Sequence, residues 1–371
     1  MNKETLIIME TLHGGGAEKV LADMLRNWNF DRYPLTLLLL HAFGPYLDAI
    51  PPQVEVIVLS HEPATLFERA LEHVLPLRRA GLRRQLERAL GDRHFDTIIS
   101  WMEGPAMRAH SMLLDRAERH ISWVHINLKI NPWSTYFFGS LEAEAEAYRQ
   151  MDKIVFVSNG ARAAFRERYG LEDGLDVIYN IIDREDILRK ADEETLAHDK
   201  FTIVCVGRME NQKRHDRLIS MVDELRRRGH DPEVWLLGAG KLESQIRSQI
   251  AELGLENNVK LLGFRKNPYP YIKEADAMVL SSDTEGFSLV VAEALCVGTP
   301  VVSTDITGPD ELLAAGGGVL TPLDAVALAD AVERLIVDKS ELKRLSAEAF
   351  ECGRRFDPKA VVSKIEHLLE K

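Results

Sequence analysis

Short apolar runs separated by longer amphipathic segments recur along the whole chain, the pattern of stacked βα units around parallel sheets. In the first half this rhythm predicts strands at 5–10, 35–40, 54–59, 97–101, 121–125, 153–158 and 176–179. A charged stretch at 183–200 has no strand character. Beyond it the rhythm restarts, with strands predicted at 201–206, 233–237, 259–262, 277–281 and 299–303. A hinge within 184–200 is therefore expected to separate two domains, 1–183 and 184–356, with 357–371 a last helix returning to the first. The expected fold class is α/β, as two Rossmann-like doubly wound domains facing across a cleft.

Composition narrows the partners. The chain has 371 residues, with 46 Lys plus Arg against 58 Asp plus Glu and a formal charge of -12, the acid excess spread over both halves. That length suits two domains with full cores. An acidic chain without a basic half does not coat nucleic acid, which requires neutralising many phosphates; a small anionic ligand stays open. Cys205, Cys296 and Cys352 are too few and scattered for a disulfide framework, and read as buried thiols in a reducing compartment. The apolar run at 6–9 is flanked by acids and lacks the features of a secretion signal, and no run approaches the ~18 residues of a membrane span. A cytoplasmic protein is expected, one that can lie on the inner membrane face without crossing it.

Three clusters carry candidate chemistry. Gly14, Gly15 and Gly16 sit between the first strand and a helix, where bare N–H groups face the crevice of an open sheet. Read alone, they serve equally as a tight turn or as a contact for phosphate or sugar. In VGRMENQKRHDRLI, a strand ends at Gly207, Arg208 follows, and Lys213 is expected to open a helix. Two cations at one strand end suit a diphosphate, although a solvated basic helix start fits as well. In SSDTEGFSLVVAEALCVGTPVV, Glu285, Gly286 and Phe287 form a loop, Ser288 is expected to cap the following helix, and Glu293 lies within it. Carboxylates before and along a helix whose N-terminus attracts phosphate would grip both ends of a nucleotide sugar. The alternative is a surface Glu285 and a salt-bridged Glu293.

Taken together, these segments resemble the retaining family-4 glycosyltransferases of GT-B fold over nearly the whole chain. The likeness rests on the glycine loop at 14–16, VGRMENQK at 206–213, LLGAGKLE at 236–243, LLGF at 261–264, Glu285 with seven residues between it and Glu293, and GTPVVSTDITGPDELL at 298–313. The resemblance implies metal-independent transfer of a sugar from a nucleoside diphosphate, with retention and without a cofactor. Arg208 and Lys213, with the backbone of Ser288 and Leu289, would hold the diphosphate. Glu293 would hold the ribose, Glu285 the donor sugar, and Gly15 and Gly16 would close on the donor. His125, at the end of ISWVH, matches a histidine beside the donor sugar, and Phe264 and Arg265 match a loop over the base. Many relatives carry Gly or Pro where Ser288 stands. No Asp-x-Asp occurs in the chain, consistent with transfer that needs no metal. Charge on the leaving diphosphate then falls to the cations.

Two features bear on the acceptor. LPLRRAGLRRQLER at 75–88 reads as a basic amphipathic helix, able to rest on anionic lipid or grip a pyrophosphate-linked lipid through Arg78, Arg79, Arg83 and Arg84, or else as a solvated face over core leucines. NPWSTYFFG at 131–139 is an aromatic loop suited to acceptor contact or to core packing. The expected partners are a nucleotide sugar, UDP-linked by resemblance to hexosyl- and N-acetylhexosaminyltransferases, and a lipid-linked or cell-surface glycan. Two alternatives stay open: a GT-B epimerase or phosphorylase, and a catalytically quiet subunit that binds a nucleotide sugar for a partner enzyme.

Overall fold

The computed structural model describes residues 3–62 and 75–370, the side chains of 75–79 excepted. These fall into two compact units, one running to Ile181 and completed by the helix Pro358–Glu370, the other spanning Ile182–Asp357.

The first unit is built on strands β1 (Thr5–Met9), β2 (Leu35–His41), β3 (Glu55–Ser60), β4 (Phe95–Ser100), β5 (Ala117–Val124), β6 (Lys153–Phe156) and β7 (Leu175–Val177). They form a seven-stranded parallel sheet in the order β3-β2-β1-β4-β5-β6-β7. Leu6, Ile7, Ile8 and Met9 are wholly buried, as befits a central strand covered by helices on both faces. The Arg-rich segment forms the helix Leu75–Leu90. Leu86 and Leu90 enter a core with Leu6, Leu38 and Ile98, while Arg83, Arg84 and Arg88 are exposed. The side chains of Arg78 and Arg79 lie outside the described residues. The helix Pro358–Glu370 is tied to the start of the chain: Lys3 Nζ donates to the Leu369 carbonyl at 3.0 Å and Tyr33 Oη to the Glu370 carboxylate at 3.2 Å.

The second unit holds β8 (Thr202–Val206), β9 (Glu233–Leu237), β10 (Val259–Gly263), β11 (Ala277–Leu280), β12 (Val301–Thr304) and β13 (Gly318–Thr321) in the order β10-β9-β8-β11-β12-β13, again parallel. The edge strand β13 goes unread in the sequence because Gly316–Gly318 mimics a turn. Leu218, Val222 and Leu225 of the helix His215–Arg227 pack with Leu328, Val332 and Leu335 of the helix Ala325–Val337. The charged stretch after 183 is not irregular throughout. It begins with the helix Arg184–Ala191, capped by Asp183, whose carboxylate accepts the Asp186 N–H at 3.0 Å, and anchored by buried Ile187 and Ala191.

Both sheets reverse direction of growth at one place, between β1 and β4 in the first and between β8 and β11 in the second. Loops leaving the carboxyl ends of those strands flank the crevice in which open α/β sheets bind ligands.

Candidate active site

In the second unit the loops after β8 and β11 meet at that reversal. The β8 loop runs through Arg208 into a short 3-10 turn, Asn211–Lys213, and the helix starts only at His215, behind a left-handed Arg214 (φ 50°). Lys213 therefore precedes the helix rather than opening it. Gly238 presses the loop into place: at its φ of +141°, a Cβ would stand 1.9 Å from the Gly207 carbonyl oxygen.

The two loops are stitched by backbone and side chain. Gln212 Nε2 donates to the Thr284 carbonyl at 2.6 Å, Asp283 N–H to the Gln212 carbonyl at 2.9 Å, and buried Arg217 to the Ser281 carbonyl at 2.6 Å. At the centre Lys213 Nζ lies 2.6 Å from Glu285 Oε1, with the side chains 19% and 10% exposed. The Ser282 hydroxyl donates to the same oxygen at 2.7 Å. Lys213 and Glu285, given separate ligand roles by the sequence, are thus an ion pair in the structure.

Ser288 stands at the N-cap position of the helix Leu289–Val297 but does not cap it. Its φ is 69°, and its buried hydroxyl has no hydrogen-bond partner. The cause is the preceding residue: Phe287 is buried, and its backbone abuts Gly308, where a Cβ would come within 2.9 Å. The chain leaves that tight approach through a left-handed residue, which carries the hydroxyl away from the helix N–H groups. Gly286 is buried in the same loop, and Leu289 begins the helix. Glu293, 4% exposed, accepts a hydrogen bond from Tyr269 Oη at 3.3 Å. Arg208 is largely exposed, 3.8 Å from Glu210. Phe264 is exposed, and the Arg265 guanidinium lies 5.8 Å over the Tyr271 ring.

In the first unit Gly14 turns the chain at φ +103°, Gly15 occupies the N-cap position and Gly16 opens the helix Gly16–Arg26. Trp101, just past β4, ties this helix down by donating its indole N–H to the Ala17 carbonyl at 3.0 Å. Its ring stacks on Trp123 at 4.9 Å and lies 5.6 Å from the ring of His125. His125 is buried directly after β5. Burial pushes its pKa down to about 4, opposed by a hydrogen bond to the Trp101 backbone, and Nε2 has no partner.

Sequence reasoning missed Glu103. It is 1% exposed in the loop leaving β4, and its carboxylate accepts the His125 backbone N–H at 3.0 Å. Burial pushes its pKa up to about 7, against the lowering effect of N–H donors from His125, from its own backbone and from the Trp133 indole. The available signal was a glutamate directly behind a buried strand, followed by Gly-Pro at a helix start.

The basic helix and the aromatic loop also meet. Arg83, Arg108, Leu114, Phe137 and Phe138 line one groove of about 780 Å³ in this unit.

Residues 14–186 match the family model Glycosyltransferase Family 4, and residues 186–351 match Glycosyl transferases group 1. The chain belongs to the glycosyltransferases of GT-B fold that carry this pair of domains. Among its relatives is the N-acetylgalactosamine-N,N'-diacetylbacillosaminyl-diphospho-undecaprenol 4-alpha-N-acetylgalactosaminyltransferase of Campylobacter jejuni, 40% identical over 35% of this chain and 34% of that one. The alpha-D-kanosaminyltransferase of Streptomyces kanamyceticus is 27% identical over 83% of this chain and 67% of that one. Alignment to the first thus spans about a third of the relative's length. Among solved structures, Anabaena HepE in complex with UDP and glucose superposes with a TM-score of 0.79 at 23% identity, covering 100% of each chain.

Proposed function

We propose that this protein is a retaining glycosyltransferase that moves a hexosyl or N-acetylhexosaminyl group from a UDP-sugar to a lipid-linked or cell-surface glycan acceptor, without a resident metal or other cofactor. The observation that carries the reading is the Lys213–Glu285 pair at the β8/β11 reversal, beside an N-terminus of the helix Leu289–Val297 that no side chain caps. A donor diphosphate placed there meets Lys213, Arg208 and the N–H groups at Ser288 and Leu289, which together neutralise the charge that develops as the sugar–phosphate bond breaks. Glu285, held by Lys213 and Ser282, is left to accept a hydroxyl hydrogen from the donor sugar. Glu293 serves the ribose, and Phe264 and Arg265 the base. Gly15 and Gly16 bring bare backbone to the donor, and His125 supplies a neutral imidazole beside the sugar. Front-side displacement, with the leaving phosphate drawing the proton from the acceptor hydroxyl, accounts for retention without a carboxylate nucleophile.

The acceptor reading draws on the groove lined by Arg83, Arg108, Phe137 and Phe138, which combines cations for a pyrophosphate with apolar walls for a lipid. Among the described residues no helix is long and apolar enough to cross a membrane. A place on the cytoplasmic membrane face through Arg78, Arg79, Arg83 and Arg84 is part of the proposal.

A screen of the purified chain for hydrolysis of UDP- and GDP-sugars tests this reading. Slow release of UDP from one or a few UDP-sugars is expected. UDP binding with no turnover of any donor would instead identify a quiet subunit, and dependence on inorganic phosphate would identify a phosphorylase.

A further inference from the structure

One buried carboxyl group ties together three segments of the first unit. Glu103 leaves β4 at the point where the sheet reverses, accepts the backbone N–H of His125 at the end of β5, and accepts the indole N–H of Trp133 in the 3-10 turn Trp133–Phe137. The approach is enforced by its neighbour. Gly104 has φ +77°, and a Cβ there would stand 2.7 Å from the Trp133 ring, so the indole lies directly on the Glu103–Gly104 backbone. A second buried carboxylate secures the other side of the turn: Glu144 accepts from Ser134 Oγ at 2.5 Å and from Thr135 Oγ1.

We propose that Glu103 is a positioning residue for the transfer reaction: by holding the His125 backbone and the Trp133 indole on one carboxyl group, it fixes where the His125 ring and the aromatic turn stand relative to each other. The inference rests on the reading of His125 as part of the active site.

The chemistry follows from donor and acceptor counting. Backbone and indole N–H groups can only donate, so an ionised Glu103 satisfies all three, its own backbone N–H included. A protonated Glu103 has turned one oxygen into a donor and must give up or weaken one of these bonds. The ionisable groups around it are Glu144, Tyr148 and His125, with Arg168 farther off, bonded to Thr135 of the turn at 2.8 Å; His125 is neutral at physiological pH, and among the described residues no cation bonds Glu103 to hold it ionised. Its proton therefore exchanges in the working range of the enzyme, and the placement of His125 follows it. The His125 ring bonds the Trp101 backbone and leaves Nε2 unpartnered, so a small movement of its backbone is passed directly to that nitrogen.

Two measurements on the full chain test this. In protein labelled with 15N-histidine and 15N-tryptophan, the His125 amide and the Trp133 indole signals are expected to shift together with one midpoint near neutral pH, and to stop doing so in Glu103→Gln. Failure of the wild-type signals to titrate together overturns the inference whether or not the protein transfers sugar. In the transfer assay, Glu103→Gln is expected to lower kcat at least tenfold, leave donor KM within twofold, and remove the limb of the kcat profile between pH 6 and 8. Wild-type kcat with an unchanged profile overturns it. Should Glu103→Gln fail to fold, Trp133→Phe removes a single donor, and the limb is expected at higher pH; an unmoved limb is fatal to the inference. A wild-type chain that turns over no donor at all defeats the functional reading instead.

Discussion

Replacing Ser288 by glycine is expected to stabilise the second unit and to leave the proposed hold on UDP intact. A non-glycine residue at φ 69° costs about 1–2 kcal/mol. Its buried hydroxyl, with no partner, adds a desolvation cost of about 1 kcal/mol or more. Glycine removes both but loses about 0.5–1 kcal/mol through the freedom it gains in the unfolded chain. The net gain is at least about 1 kcal/mol, a rise in melting temperature of roughly 2–4 °C or more for a unit of this size. Ser288→Ala separates the terms, since alanine removes the hydroxyl and keeps the Cβ in the strained region. Melting of the full chain followed by scanning calorimetry should rank glycine above alanine above serine. Titration with UDP should not follow that order, all three proteins binding alike, because the proposed contact is the backbone N–H of residue 288, which both variants keep. A glycine variant that melts at or below the wild type refutes the account of strain, and a loss of UDP affinity in both variants refutes a phosphate contact made by backbone alone.

Lys213→Met should cost about 2–4 kcal/mol, because Glu285 keeps only the Ser282 hydroxyl, whereas Glu285→Gln preserves an acceptor for both partners and should cost less. Thermal melts of the singles and the double should reveal a coupling of about 1 kcal/mol or more, and additivity within ~0.5 kcal/mol would show that the pair is not energetically linked. Glu103 makes the first unit sensitive to alkali. Its folded pKa of about 7 stands above the ordinary 4.5, so its contribution is full below 4.5 and lost as pH rises through 7, about 3 kcal/mol in all. Glu103→Gln should flatten the fall in melting temperature between pH 5 and 8. His125 acts on the other side: folded at about 4 against an ordinary 6.5, it contributes above 6.5 and loses that contribution as pH falls toward 4, a loss that Glu103→Gln should leave in place. If the basic helix rests on lipid, charge reversal of exposed Arg83 and Arg84 should release the protein from vesicles containing anionic lipid; undiminished co-sedimentation would exclude that surface.

The inner strands were legible because they are buried on both faces and read as apolar runs, such as Leu37 to Leu40 in β2. What escaped was structure whose cause lies elsewhere in the chain. The strand β13 begins at the last of three glycines and forms by pairing with β12. The helix Arg184–Ala191 looks like a charged linker until Ile187 and Ala191 find a core. The same division holds for the site. Lys213 and Glu285 were visible because each stands in a loop that follows a strand within a longer pattern, but their pairing spans 72 residues. The cap expected of Ser288 was a local inference overruled by the approach of Phe287 to Gly308. Glu103 belongs to no repeating pattern, and its burial is created by Trp133 and His125 from other elements.

The helix Pro358–Glu370 gives the chain an unusual order of assembly. The first unit is completed by residues that the ribosome adds only after all of Ile182–Asp357 has been made. Until then, the surface that receives buried Ile365, Leu368 and Leu369 stays bare on the nascent chain. The second unit has no such debt, since its segment is continuous. Removing this helix should therefore be felt in the unit that carries His125 and Glu103, although every residue removed lies beyond the last residue of the unit carrying Lys213 and Glu285.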